Sequence, residues 1–92
     1  KQFLTLTGNV TDVHFRFPAI SGNFTCVILQ DGTGGRTVSN WKSNDSDGTE
    51  RTLKWAGGAT PENTETANKA DIVSFYWDAP AKIAYGVYTY NF

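Results

Sequence analysis

The sequence predicts an all-β domain, and three observations support that expectation. Aromatic residues make up 14% of the 92 residues, and many threonines, valines and isoleucines accompany them, a composition that fits pleated surfaces. Apolar and polar residues alternate in several short runs, and turn residues interrupt the chain about every 8–12 positions. No stretch places apolar residues at helical spacing. These features are typical of a small antiparallel β-sandwich with jelly-roll-like connections.

The first half of the chain predicts four strands. Residues 2–7 and residues 13–17 each alternate apolar and polar side chains, which indicates half-buried strands. Residues 24–29 are apolar on both faces and predict a central strand packed between layers. Three glycines within residues 31–35 favour a hairpin reversal, because glycine tolerates positive φ angles. A fourth strand is therefore expected over residues 36–41.

The second half predicts three more strands. A polar turn at residues 43–48 leads into a short strand around residues 53–55. Residues 56–68 contain Gly, Pro, Thr and Glu and are expected to form a long connection. Residues 71–77 give the strongest strand pattern, and a turn joins them to a last strand over residues 82–91.

Both faces of the last strand carry apolar side chains and need cover. Ile83, Tyr85 and Val87 point one way, and the alternate positions point the other. A chain of this length buries only roughly 60–65% of its unfolded surface, and its single cysteine cannot form an internal disulfide. Association with identical chains is the expected substitute. The candidate interface residues are Tyr88, Tyr90 and Phe92.

Charge and composition exclude several classes of partner. The formal net charge is −1, so no basic footprint for nucleic acid or an anionic membrane is visible. No apolar run approaches the ~20 residues of a membrane-spanning helix. Residues 1–92 are expected to be one domain, and because methionine is absent, we expect it to be a module of a longer protein.

No catalytic or cofactor-binding pattern stands out. His14 is the only histidine and Cys26 lies in an apolar run, so neither a zinc site nor a Cys–His nucleophile pair is supported. The residues Ser43-x-Asp45-x-Asp47 resemble the opening of a calcium loop, but the twelfth position is Lys54 and not glutamate. A plain polar turn is favoured there, with a weak calcium site shared between chains as the alternative. No cofactor and no metal are expected.

The polar loop after Trp41 is the candidate receptor-binding site. An aromatic face complements the apolar face of a sugar ring, and Trp41 directly precedes this loop. Asn44, Asp45 and Asp47 would accept hydrogen bonds from hydroxyl groups, and Arg51 would pair with an acidic sugar.

Five segments resemble a module of tailed-bacteriophage virion proteins, such as the tip domain of a fibre. In the second half these are LKWAGGATP (53–61), DIVSFYWD (71–78) and YGVYTYNF (85–92), and in the first half they are LTLTGN (4–9) and LQDGTGGRTV (29–38). The family usually shows Trp-Pro-Gly-Gly where this chain has Trp-Ala-Gly-Gly at residues 55–58.

The resemblance implies a small β-sandwich at the C-terminus of a tail fibre or head fibre, on the surface of the virion. It implies a non-enzymatic homotrimer that contacts other virion proteins and attaches to a glycan or protein receptor on the host cell. Two alternatives remain open. One is a capsid-decoration or appendage-assembly module, and the other is the carbohydrate-binding module of an enzyme.

Overall fold

Strands dominate the computed structural model of this chain, which describes residues 2–92, and the all-β prediction is confirmed. The described residues form seven strands and one short 3₁₀ turn at Ala56–Gly58. The strands are β1 (Gln2–Leu6), β2 (Val13–Arg16), β3 (Gly22–Gln30), β4 (Trp41–Asn44), β5 (Glu50–Trp55), β6 (Ala70–Asp78) and β7 (Ile83–Thr89).

All seven strands belong to one sheet, in the order β1-β3-β6-β7-β5-β4-β2. The predicted two-sheet sandwich with jelly-roll connections is therefore wrong. The antiparallel prediction holds for three pairs, β3–β6, β6–β7 and β4–β5. The pairs β1–β3, β2–β4 and β5–β7 are parallel, so the sheet is mixed.

The pairs β1–β3 and β2–β4 are parallel because the first four strands wind as two turns of a coil. β1 and β3 stack on one side of the core, whereas β2 and β4 stack on the other. The connections stack as well, since Val10 forms a parallel bridge to Val38 and its N–H donates to the Thr37 carbonyl at 2.8 Å. This solenoid-like winding replaces the hairpins that the alternating pattern predicts.

The sheet rolls up around the core, so that its two end strands approach each other. Four strand spacings separate β2 from β6, which would be about 19 Å in a flat sheet. The ring of Phe15 on β2 nevertheless lies 4.7 Å from the ring of Phe75 on β6, measured between centroids. The edge strands β1 and β2 therefore face each other across an open side of the roll.

Aromatic rings fill the interior of this roll. Trp77 is 1% exposed and its ring stacks on Phe17 at 4.9 Å. The close approach of two strands depends on Gly86, because a Cβ atom there would lie 2.6 Å from the Trp55 ring. The rings that contact one another on this inner face are Phe15, Phe17, Phe24, Trp41, Trp55, Phe75, Trp77 and Tyr88.

The strand predicted over residues 36–41 is wrong, and so is the hairpin before it. Only Val38 makes a bridge in that stretch, and β4 begins at Trp41. The buried Gln30 side chain holds the segment instead, since its amide nitrogen donates to the carbonyls of Arg36 and Thr64 at 2.7 and 2.8 Å. A side-chain amide thus takes the place of strand pairing.

The final hairpin is confirmed. β6 and β7 pair antiparallel from Ile72 opposite Thr89 to Asp78 opposite Ile83. The N–H of Lys82 donates to the Asp78 carbonyl at 2.8 Å and closes the turn. Along β7 the expected alternation is present, with Ala84 buried and Val87 exposed.

Candidate functional site

The hairpin between β4 and β5, which we call the tip hairpin (residues 43–51), is organised by one carboxylate. Asp45 is 3% exposed, and its oxygen Oδ1 accepts hydrogen bonds from the N–H groups of Asp47 and Thr49 at 3.0 and 3.1 Å. Its oxygen Oδ2 lies 2.6 Å from Nε of Arg51. Gly48 has φ +85° and allows the chain to reverse. The turn is therefore pre-organised by its own residues.

The charge state of Asp45 follows from these contacts. Burial by itself would raise the pKa of this carboxyl group, because burial disfavours the charged form. The hydrogen bonds from Arg51 and from the N–H groups of Thr49 and Asp47 outweigh burial, so the pKa is lowered overall. Asp45 is thus an ionised carboxylate whose acceptor capacity is used within the tip hairpin.

Strand β2 supports the tip hairpin from the side. The parallel register places His14 beside Lys42 and Arg16 beside Asn44. Nδ1 of His14 lies 2.8 Å from Oδ1 of Asn44, and the Arg16 guanidinium donates to the Ser46 carbonyl. The side chains of His14 and Arg16, which are not among the predicted site residues, are therefore part of this end of the molecule.

Four of the five predicted receptor-binding residues come together in the tip hairpin. Asp47 is exposed, whereas Asp45 and Arg51 are paired with each other. Asn44 is half-buried and donates through Nδ2 to the Gly48 carbonyl at 3.0 Å. Asp47 is thus the one of these four whose side chain is fully presented to solvent.

Trp41 lies in the aromatic core, and this position does not favour its predicted role as a sugar-stacking platform. It is 8% exposed, and its ring packs against Phe15, Trp55 and Tyr88 at centroid distances of 6.1, 5.7 and 5.5 Å. The rings of its neighbours cover the faces that a sugar would need. Its indole N–H is buried and has no hydrogen-bond partner among residues 2–92.

The calcium alternative also meets an unfavourable donor set in the tip hairpin. The Asp45 carboxylate contacts the Arg51 guanidinium, and the buried Ser43 hydroxyl donates to the Arg51 carbonyl at 3.0 Å. A cation of the calcium type would have to compete with that guanidinium. Within residues 2–92 no group of three or more His, Cys, Asp or Glu side chains could hold a metal ion.

The three predicted interface residues occupy two environments. Tyr88 is half-buried on the inner face, and its hydroxyl donates to Asp71 at 2.7 Å. Burial and this carboxylate raise the pKa of Tyr88. Tyr90 and Phe92 are 48% and 58% exposed beyond the end of β7. Only the latter two offer apolar surface to another molecule.

A larger exposed surface lies on the outside of the roll, and we call it the outer face. It consists of the outward side chains of β1, β3, β6 and β7. Tyr76, Tyr85 and Val87 are exposed there by 46%, 43% and 53%. Asp78, at the C-terminal end of β6, is its one charged member, and the others are uncharged: Phe3, Thr5, Asn23, Thr25, Val27, Leu29, Ala70, Ile72, Ser74, Tyr76, Ile83, Tyr85, Val87 and Thr89.

The sequence predicts only the part of the outer face that lies on the last strand. Tyr85 lies opposite Tyr76 of β6, which in turn lies opposite Asn23 of β3. The uncharged character of these outward positions could have been read from the alternation in each strand. Their assembly into one surface depends on strand order, which local patterns do not specify.

Comparisons with known proteins add no assignment. No family model matches the chain, and neither the curated proteins nor the solved structures gave a match. The resemblance to phage virion proteins therefore stays a prediction. None of the helical segments within residues 2–92 has the length and apolar character needed to cross a membrane.

Proposed function

We propose that this chain is a non-enzymatic attachment domain of a bacteriophage fibre or a related virion appendage, and that it works as a homotrimer. In this proposal three copies cover part of the outer face, and the tip hairpin contacts a host receptor. The observation that carries the assembly half is the near absence of charge on the outer face, where Asp78 is the one charged residue. The attachment half is supported by the tip hairpin and its buttress on β2.

The outer face has the composition of a surface that becomes covered. Charged residues are depleted in the core of protein interfaces, and tyrosine is enriched there. This face spans four strands with one charged side chain, Asp78 at its edge, and it exposes Tyr76, Tyr85 and Val87 together. Lys54 on β5 and Asp78 at the end of β6 mark its border. Copies of this chain are the occupants that fit, because the contacts in a ring of three are heterologous and a face with one charged residue brings no like charges together at such contacts.

The tip hairpin has the rigidity that a recognition surface needs. Its backbone is held by Asp45 and Arg51, so little conformational entropy is lost when a ligand binds. It displays Asp47 and Glu50, while His14 and Arg16 lie beside it on β2. A ligand with both hydroxyl groups and charges, such as an acidic glycan or a polar protein loop, matches this mixture.

The carbohydrate-binding-module alternative loses the three tryptophans as platforms in this fold, and it would have to use the exposed rings of Tyr76 and Tyr85 on the outer face. Such a module needs an exposed aromatic face for the sugar, but Trp41 and Trp77 are buried and Trp55 is half-buried in the aromatic core. The capsid-decoration alternative uses the same outer face. Electron microscopy of labelled particles would separate it from attachment, since label at a fibre tip favours attachment and label on the capsid favours decoration.

The mass of the purified chain in solution tests the assembly half. We expect light scattering to give about three times the 10.1 kDa of one chain. Val87→Glu should reduce this mass to that of a single chain without loss of the β-sheet spectrum, because it places a charge beside the exposed tyrosines of the covered face. Thr60→Glu adds the same charge to an exposed loop and serves as the control. A monomeric wild-type chain, or equal masses for the two variants, would contradict the proposal.

A further inference from the structure

We infer that the open side of the roll, between β1 and β2, is a binding site for an extended peptide strand of a partner protein. This side, which we call the seam, adjoins the outer face at Phe3 and Thr25 and the tip hairpin at His14 and Arg16. The inference rests on the strand pairing, on a cavity and on the charges around it. It does not depend on the proposed attachment function.

The strand pairing makes the seam a place where a strand can be added. β1 and β2 are the two ends of the strand order, so each has a neighbouring strand on one side only. Three antiparallel steps separate them along the sheet, which makes β1 and β2 antiparallel to each other. Exposed sheet edges are templates for pairing with another chain. A strand entering the seam would pair antiparallel with one edge and parallel with the other.

The seam also contains a cavity that residues 2–92 leave unfilled. Its volume is about 440 Å³, which lies within the range of about 300–1,000 Å³ typical of binding pockets. Residues of β1 form one wall and residues 13–17 form the other. The floor is apolar and consists of Phe24, Cys26 and Phe75. An apolar floor with polar edges on both sides favours a peptide that points every second side chain inward.

The side chains at the rim of the seam favour a peptide with negative charge. His14 and Arg16 point outward from β2 and line the cavity. Among the described residues, no aspartate or glutamate lines it. Acidic side chains at the outward positions of the bound strand would therefore lie near the Arg16 guanidinium, which donates to the Ser46 carbonyl but forms no salt bridge among the described residues. The ligand class is an extended segment with apolar residues alternating with acidic ones.

The position of the seam in the coil explains why a strand is missing there. β1 and β2 form the first turn of the solenoid-like winding, and β3 and β4 stack on it. The terminal turn of a solenoid leaves its core uncovered on one side unless another element caps it. On the other side the rolled sheet continues through β6, β7 and β5 and closes the core. The seam is thus the one end of the winding that strand pairing leaves open.

The test uses the purified chain and a capped synthetic peptide, Glu-Val-Glu-Val-Glu-Val. A second peptide with the same composition in the order Glu-Glu-Glu-Val-Val-Val is the control. Calorimetry measures affinity, and amide hydrogen exchange followed by NMR locates the site. We expect the alternating peptide to slow exchange in β1 and β2 and to bind more tightly at low salt. The control peptide should do neither.

Two charge variants separate the seam from general electrostatic attraction. Arg16→Glu should weaken binding by about five-fold or more, whereas Lys54→Glu makes the same change in net charge on the outside of β5 and should leave affinity unchanged. Equal weakening in both variants would overturn the inference, as would protection confined to strands other than β1 and β2. Protection of β1 and β2 that rises with protein concentration in the absence of peptide would also overturn it, because a second copy would then occupy the seam.

Discussion

Two buried tryptophans differ in whether the indole N–H has a hydrogen-bond partner, and this difference predicts unequal losses of stability from the same substitution. Trp77 is 1% exposed, and its Nε1 donates to the Pro18 carbonyl at 2.9 Å. Trp41 is 8% exposed, and its Nε1 has no partner among the described residues. Replacing either residue with phenylalanine removes the same atoms. Trp41→Phe should therefore cost much less stability than Trp77→Phe.

The size of the difference follows from the hydrogen-bond terms. Loss of the Trp77 hydrogen bond removes a net contribution of about 0.5–1.5 kcal/mol. Trp41→Phe removes an unpartnered N–H, so the fold no longer bears the cost of burying that donor, about 1–3 kcal/mol. The volume lost is the same, so the two variants should differ by roughly 1.5–4.5 kcal/mol in the free energy of unfolding. For a domain of this size the difference in Tm is at least about 6 °C.

Urea unfolding followed by circular dichroism measures this difference. Both variants and the wild type are compared at one protein concentration, since self-association makes apparent stability depend on concentration. Equal m-values would show that the same surface is exposed in each case. If Trp41→Phe proves as costly as Trp77→Phe, the Trp41 N–H has a partner in solution and the description of its environment is incorrect.

Two further predictions test the packing and the tip hairpin. Gly86→Ala places a Cβ atom 2.6 Å from the Trp55 ring and should destabilise the fold by about 1–3 kcal/mol. The control Gly22→Ala meets only ordinary contacts and should leave thermal unfolding nearly unchanged. Equal effects of the two substitutions would contradict the close packing at Gly86. Asp45→Asn should be less stable than the wild type at neutral pH, because the lowered pKa of Asp45 means that the ionised form stabilises the fold above its ordinary value of 3.8. This stability is lost as the pH falls through the folded-state pKa, so the difference in urea midpoints should shrink below pH 3.8, and a difference that does not change with pH would refute the role of the carboxylate.

Local patterns predicted the strands that depend on local chemistry. The alternation over residues 13–17 and the apolar run over 71–77 correspond to β2 and β6. The polar turn at 43–48 forms the predicted hairpin, because Asp45 and Gly48 supply the cap and the positive φ angle within the turn itself. Each of these features is determined by residues a few positions apart.

Strand order could not be predicted, because it depends on contacts between distant residues. The side chains of Gln30 and Asn63 hold the segment near Arg36 through its carbonyl, and these residues lie up to 27 positions away. No alternation in the sequence indicates that a side-chain amide will occupy the place of a strand. The predicted sandwich required a strand at 36–41, and without it the chain winds in parallel turns.

The candidate site shows the same division. Asn44, Asp45, Asp47 and Arg51 lie in one hairpin, so their proximity follows from the turn. Trp41 precedes them in sequence, but β4 has a two-residue alternation, and the buried positions of that alternation begin at Trp41. Neighbouring positions in sequence therefore point to the core at one residue and to solvent at another.

The aromatic core limits where this protein can recognise anything. A rolled single sheet has one inner face. Eight aromatic rings, each in contact with at least one other, occupy that face. Recognition must then use surfaces that the rings do not occupy: the outer face, the tip hairpin and the seam. Of these, the outer face has one charged residue and the seam lies between the two end strands of the sheet, so each favours a protein partner. The tip hairpin alone combines exposed charge with a backbone fixed from within, and a polar receptor should therefore bind there.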